Sequence, residues 1–214
     1  MQGISEGKKV TIQRGPENTM NRNILKYMTE FTSLSAKEKQ EIIDALVLEE
    51  YELGSYLIKQ GDVPSFKCYF ILKGCIRQYY VDESGKEITT HFYTEEQAVL
   101  TFNSQETEQV SNYSLVCLED CVLIVGSLDN EKNMYQKYSQ LETMTRKMME
   151  IYLREAKVEL SELIQATPEE RYKAILKKRH TLVNRVPQHQ LASYLGITPE
   201  SLSRIKKRMK SDIR

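Results

Sequence analysis

The apolar positions of the chain change period several times, and each change predicts a different kind of element. From residue 21 to about 50, Ile24, Tyr27, Met28 and Phe31 and then Ile42, Ile43, Leu46 and Val47 recur at helical spacing. Ser35 ahead of Ala36-Lys37-Glu38 reads as a capping box, in which a hydroxyl and a carboxylate three residues apart satisfy orphan backbone N–H groups reciprocally. Two short helices are predicted. Beyond Tyr51 the rhythm shortens to β-rich segments punctuated by Gly54, Gly61, Gly74 and Gly85, predicting strands over 56–59, 68–73, 75–81, 87–93, 113–118 and 121–126. Short strands at this spacing suggest a sandwich or barrel. Asp82-Glu83-Ser84-Gly85-Lys86 has the turn chemistry to close two of them into a hairpin.

A long helical pattern follows from about residue 130 to 165, with no Gly or Pro before Pro168. Leu141, Met144, Met148 and Ile151 form one apolar stripe, and Met149, Leu153, Ala156, Leu160 and Leu163 form a second. About 35 residues at 1.5 Å each span roughly 50 Å, more than a small barrel needs for cover. One stripe can pack on the barrel while the other meets a second copy of the chain; the alternative is that both pack within one subunit.

Thr167-Pro168-Glu169-Glu170 restarts the pattern with an N-cap, a first-position proline and two acids at the positive end of a helix, which marks a domain boundary. Helices are predicted over 171–182, 187–195 and 199–210. In the second of these Leu191, Ala192 and Leu195 share a face, and Gly196 supplies the left-handed residue that ends it. Ile197 plugs the turn, Thr198 is a good N-cap, and Pro199 opens the next helix. Leu202, Ile205 and Met209 recur at steps of three and four, leaving Glu200, Ser201, Ser203, Arg204, Lys207 and Arg208 outward. This is the outline of a DNA-reading helix-turn-helix, although a helical hairpin with a solvated basic face would show the same pattern.

Charge distribution sharpens that reading. From Ala166 onward there are twelve basic residues against four acidic ones, a net +8; since the chain holds 30 of each sign, the first 165 residues carry −8. A basic module attached to an acidic domain is the electrostatic footprint of nucleic-acid binding. With 40% hydrophobic and 28% charged residues the chain reads as globular rather than disordered. No apolar run is long enough for a membrane span, and the N-terminal residues lack the apolar centre of a signal peptide, so a cytoplasmic protein with no membrane partner is expected. Cys68, Cys75, Cys117 and Cys121 lie on or beside strand segments without a CxxC pair or a His cluster, which favours buried reduced thiols over a metal site or disulfide.

Helices, a glycine-punctuated barrel, a long helix and a basic helix-turn-helix, in that order, resemble the Crp/Fnr family of bacterial transcription regulators. Tyr69-Phe70-Ile71-Leu72-Lys73-Gly74 followed by Arg77, and the segment LASYLGITPESLSRI, carry the resemblance most strongly. It implies an α+β chain: an N-terminal double-stranded β-helix or jelly roll of cyclic-nucleotide-binding type, a long dimerisation helix, and a C-terminal winged helix-turn-helix. The corresponding divisions are a flexible arm over 1–20, the β-roll sensor over 21–129, the dimerisation helix over 130–166 and the DNA-binding domain over 167–214. No obvious strand pair lies between His180 and Pro187, so any wing must be short. Implied partners are double-stranded DNA, a second copy of the chain, RNA polymerase and a small-molecule effector.

Carried onto this chain, the family's recognition-helix pattern places Glu200 and Arg204 at the base-reading positions. A carboxylate accepts from cytosine N4, and a guanidinium reaches guanine O6 and N7 together. Gln188, His189, Thr198 and Ser201 fall where phosphates are held, with Lys207 and Arg208 as further phosphate contacts; a solvated surface residue is an equal reading of His189. Pro199 stands where some relatives carry a base-reading arginine, so the operator is expected to differ from theirs. Relatives that bind cyclic nucleotides hold the phosphate with a Gly-Glu pair and a later arginine. Here the arginine position falls near Ser111 or Asn112 and the glycine is missing, which speaks against cyclic AMP. An oxygen-sensing iron–sulfur cluster needs several N-terminal cysteines, and none precedes Cys68. No cofactor, metal ligand or catalytic residue is expected. Two other classes compete: a cupin-like metal enzyme, opposed by His91 being the barrel's lone histidine, and a ligand-binding module that regulates a protein partner.

Overall fold

A serine and a glutamate three residues apart begin the first well-capped helix of the computed structural model, which describes residues 10–12, 20–65, 67–101 and 110–211. Helix α1 spans Met20–Phe31 and α2 spans Ala36–Asp44; Ser35 Oγ accepts from the Glu38 N–H and the Glu38 carboxylate accepts from the Ser35 N–H at 2.8 Å, the predicted box. Among the described residues nine strands follow the sequence rhythm more closely than its apolar content: β1 Val10–Ile12, β2 Leu48–Tyr51, β3 Tyr56–Ile58, β4 Lys67–Lys73, β5 Ile76–Val81, β6 Glu87–Tyr93, β7 Ala98–Leu100, β8 Ser114–Cys117 and β9 Cys121–Ser127.

The strands form two antiparallel sheets, one ordered β1-β2-β9-β4-β7 and the other β3-β8-β5-β6. Alternation along each strand turns Tyr69, Ile71, Ile76, Leu115, Leu123 and Val125 inward, where they form the core of the roll. Cys75, Cys117 and Cys121 are buried thiols. Asp82 closes the β5–β6 hairpin as expected: its carboxylate accepts from the Ser84 and Lys86 N–H groups, and Gly85 takes φ +82°.

Three strands depart from the sequence reading. β2 runs Leu-Glu-Glu-Tyr, and its buried Glu49 bonded by the Tyr51 hydroxyl disguises it as polar. β7 is too short to show a period. β1 lies in the segment expected to be a flexible arm, and its Val10 pairs with Glu50; the rest of that arm, apart from Met20 at the start of α1, is outside the described residues.

The long helix is also different. It divides into α3, Leu128–Lys137, and α4, Ser139–Gln165, at Tyr138, whose backbone leaves the helical region at φ −132° and ψ 80°. Tyr138 is buried with Met28, Leu34, Ile42 and Leu141, and its hydroxyl donates to Glu41 of α2, so tertiary anchoring breaks a run that has no Gly or Pro. The 27 residues of α4 span about 40 Å. Its first stripe packs inward: Leu141 is buried and Met144, Met148 and Ile151 are half-buried. Its second stripe faces out, with Leu153 57% and Leu160 56% exposed and Met149 beside them; Ala156 is half-buried, and the Leu163 side chain lies outside the described residues. Ile164, 73% exposed and not part of the expected stripe, extends this outward row.

Helices α5 Pro168–Lys178, α6 Leu182–Arg185, α7 Gln188–Tyr194 and α8 Pro199–Ser211 complete the chain. Thr167 forms a second capping box with Glu170. Among the described residues no strand follows β9: where a short wing was expected, Leu182 is buried on α6 against the helix-turn-helix core, which favours a helical turn over a hairpin. Among the described residues no helix is long and apolar enough to cross a membrane.

Candidate nucleic-acid interface

The turn between α7 and α8 is built by a small number of backbone bonds. Gly196 sits at φ +72° and donates to Ser193 O at 3.0 Å, and Ile197 donates to Ala192 O at 3.0 Å. This bonding pair defines a Schellman ending, in which a left-handed residue lets the last carbonyls find donors. Thr198 Oγ1 then accepts from the Ser201 N–H at 3.3 Å, and Pro199 occupies the first turn of α8. Leu191, Ala192, Leu195, Leu202 and Ile205 are buried in one cluster with Tyr172, Ile175, Leu182 and Val186, so the angle between the two helices is set by packing as well as by the turn.

That burial fixes which face of α8 points outward. Glu200 and Arg204 are exposed one helical turn apart, with Lys207 on the same side and Ser203 beside it. Arg204 donates to Ser201 Oγ at 3.1 Å, which ties the base-reading candidate to the Thr198–Ser201 cap. The Glu200 carboxyl is held below its ordinary value by its own backbone N–H, then by Thr198 and the Arg204 charge, so it stays an acceptor. Gln188 reaches across from α7: its Nε2 donates to Ser203 Oγ at 2.8 Å and its Oε1 accepts from Lys206. Gln188, Thr198, Ser201 and Arg204 are thus brought to one surface. His189 is exposed beside Gln188. Arg208 is turned toward α5, where it pairs with Glu169, a carboxylate that also holds Lys173 at 2.9 Å.

The sequence reading missed what the helix-turn-helix stands on. Helix α7 packs on β6: Ser193 Oγ accepts from the Thr89 N–H at 2.9 Å, Phe92 meets Tyr194 edge-on with centroids 5.3 Å apart, and Phe92 and Cys75 join the helical core. Arg179 donates to Phe92 O at 2.6 Å. Arg185 of α6 forms a fork with both Glu95 oxygens at 2.8 Å and pairs with Glu119 as well. Burial alone would raise the Glu95 carboxyl, but bonds from Arg185 and the Gly74 N–H outweigh it and hold it low; the same two carboxylates raise Arg185. Part of the basic surplus therefore clamps the C-terminal helices to the acidic roll. The opposite signs of the two halves are the signal that could have revealed this contact.

Replacing Arg185 with Ala leaves two partly buried carboxylates without their partner. The expected loss is about 2 kcal/mol of stability in chemical denaturation of the whole chain. A change below about 0.5 kcal/mol would show instead that the fork behaves as a loose surface pair.

In the roll, Ser111, one of the two residues near which the resemblance would put a phosphate-binding arginine, is buried and donates to Tyr113 O at 2.7 Å, while Asn112 is exposed. Arg77 is buried on β5 but committed, donating to Thr89 and pairing with Glu87. Among the described residues no group of three His, Cys, Asp or Glu is placed to hold a metal ion.

Roll, helix and turn together define a recognisable fold. Residues 48–138 match the family model of the cyclic nucleotide-binding domain. The fold of the chain is that of regulators of the Crp/Fnr type. FixK2 from Bradyrhizobium japonicum is 16% identical, with a TM-score of 0.63 over 78% of this chain and 86% of that one. A CooA mutant from Carboxydothermus hydrogenoformans is 13% identical, with a TM-score of 0.60 over 93% and 87%. A protein from Eubacterium rectale described as a transcriptional regulator of the Crp/Fnr family is 15% identical, with a TM-score of 0.59 over 87% and 88%. No curated protein sequence matches the chain.

Proposed function

We propose that the protein is a homodimeric, sequence-specific DNA-binding transcription regulator of the Crp/Fnr type. The observation that carries the reading is the face of α8: Leu202 and Ile205 bury one side, and the opposite side presents Glu200, Arg204 and Lys207 to solvent. Glu200 and Arg204 read base edges; Gln188, Thr198, Ser201 and Lys207 position the helix on phosphates. Arg208 joins the phosphate contacts only by leaving Glu169, and His189 stands at their edge. The exposed stripe Leu153, Leu160 and Ile164 supports the dimer, since an apolar row of this length on a solvent face calls for a partner.

In this reading the acidic roll is the sensor, α4 the dimerisation helix, and the helices from α5 onward the DNA-binding domain of a cytoplasmic regulator rather than an enzyme. The buried, satisfied Ser111 supports an effector other than cyclic AMP.

Affinity measurements test the assignment of α8. Arg204→Ala should cost about 1–3 kcal/mol on the specific site and relax one base preference. Lys207→Ala should weaken binding evenly and reduce the salt slope by about one. Unchanged operator affinity in the Arg204 variant would remove Arg204 from the reading surface.

A further inference from the structure

The helices from α5 onward are joined loosely to α4 and firmly to the roll. Helix α4 ends at Gln165, and Ala166 and Thr167 then take extended conformations, with ψ of 142° and 159°, so the helical hydrogen-bond ladder is interrupted before α5 begins. Side-chain bonds across this joint include Arg171 Nε to Ala166 O at 3.1 Å and Lys178 to Glu162, an ion pair about half exposed on both sides that contributes little. Packing is open there as well: a groove of about 390 Å³ runs between the end of α4 and helices α5 and α7, bordered by Glu159, Ile175, Tyr194 and Leu195.

The contact with the roll is of another kind. Arg185 forks onto both Glu95 oxygens at 2.8 Å, and its Nε donates to Glu119 at 3.3 Å. All three side chains are partly buried, and a planar guanidinium held by two carboxylates resists rotation as well as separation. Beside this fork, Arg179 donates to Phe92 O and Ser193 accepts from the Thr89 N–H, and Phe92 is buried in one cluster with Leu182 and Val186. The roll is fixed in turn to α4, since Tyr138 and Leu141 are buried with Met28 of α1 and Ile42 of α2, the helices that lead into its strands.

In a dimer built on α4, the separation and relative rotation of the two copies of α8 follow from the angle at which each DNA-reading unit is held. Helix α5 alone has 11 residues and is about 16 Å long. A swing of about 10° at its root carries its far end through about 3 Å, close to the roughly 3.4 Å rise of one base pair. One added base pair also turns the second half-site by about 34°. A small change of angle is therefore enough to move a half-site out of register.

We propose that Arg185 is a positioning residue for DNA recognition: through Glu95 and Glu119 it fixes the angle of the DNA-reading helices on the roll and thereby selects the spacing between the two half-sites. The proposal rests on the DNA-reading and dimeric roles proposed above and adds to them a specificity determinant that lies off the reading face.

Its test is a titration of the whole chain on the selected site, on the same site with one base pair inserted or removed between its halves, and on a single half-site. For the unsubstituted chain, one base pair of change should weaken binding about a hundredfold, because both halves are no longer engaged together. In Arg185→Ala, and in the double variant Glu95→Gln, Glu119→Gln, that penalty should fall to about tenfold or less, while the half-site is bound with the same base preference and within about twofold of the original affinity. Arg185→Lys keeps the charge but loses the fork, and its penalty should fall between these values. The first two variants break one contact from opposite sides, so if circular dichroism shows that one of them fails to fold, the other decides. An undiminished spacing penalty in the folded variants, or an altered base preference on the half-site, would overturn the proposal. Absence of half-site binding by the unsubstituted chain would overturn the reading of α8 itself, and the proposal with it.

Discussion

Leu153→Glu combined with Leu160→Glu is expected to turn the protein into monomers and to weaken binding to a two-fold symmetric DNA site about a thousandfold. Both side chains are more than half exposed on α4, at 57% and 56%, so neither contributes much to the subunit's own core. Glutamate is a good helix former, and the helix itself should persist. In the proposed dimer, however, the substitutions would place four carboxylates in an otherwise apolar row, where unpaired charge is costly. Once the dimer is lost, the second half-site is no longer engaged at high effective concentration, a factor of about 10² to 10⁴. Sedimentation and titration on full and half sites measure the two effects separately. A variant that remained dimeric would move the dimer interface away from this stripe.

Gly74→Ala should destabilise the roll by about 3–5 kcal/mol, an effect in the range reserved for backbone strain combined with overpacking. Gly74 joins β4 to β5 at φ +118°, a conformation that L side chains rarely adopt. An added Cβ would also stand 2.4 Å from Cys121 Sγ and 2.9 Å from Cys121 Cα, so the obstruction includes backbone as well as side chain. Pairing Gly74→Ala with Cys121→Ala would relieve the clash with sulfur but leave the strain and the obstruction by the Cys121 backbone, and most of the loss should remain. Near-native thermal stability of the single variant would mean that β9 can withdraw from this turn. Gly54 and Gly85 also take positive φ but have open space around them, and alanine there should cost less.

What could be read from the sequence was what local chemistry determines. The Ser35–Glu38 and Thr167–Glu170 boxes, the Gly196 turn and the inward positions Leu202 and Ile205 depend on residues within a few positions of one another, and the structure reproduces them. Long-range determinants were hidden. Tyr138 breaks a continuous helical pattern because Glu41 and the α1–α2 core, about a hundred residues earlier, hold it. β2 escaped notice because its stabilising contact is a buried glutamate bonded by a tyrosine. The outward face of α8 could be read from periodicity, whereas the clamp of Arg185 on Glu95 and Glu119 required knowing which acids of the first half lie beside which arginines of the second.

The most direct test of the DNA-reading account is selection of binding sites from random duplex DNA by the 214-residue chain, with Arg204→Ala run in parallel. The account predicts a near-palindromic site whose half-sites lie about one helical turn, or a multiple of it, apart, and loss of preference at one G·C pair per half-site in the variant. No enriched sequence, or the same site selected with equal stringency by the Arg204 variant, would contradict it.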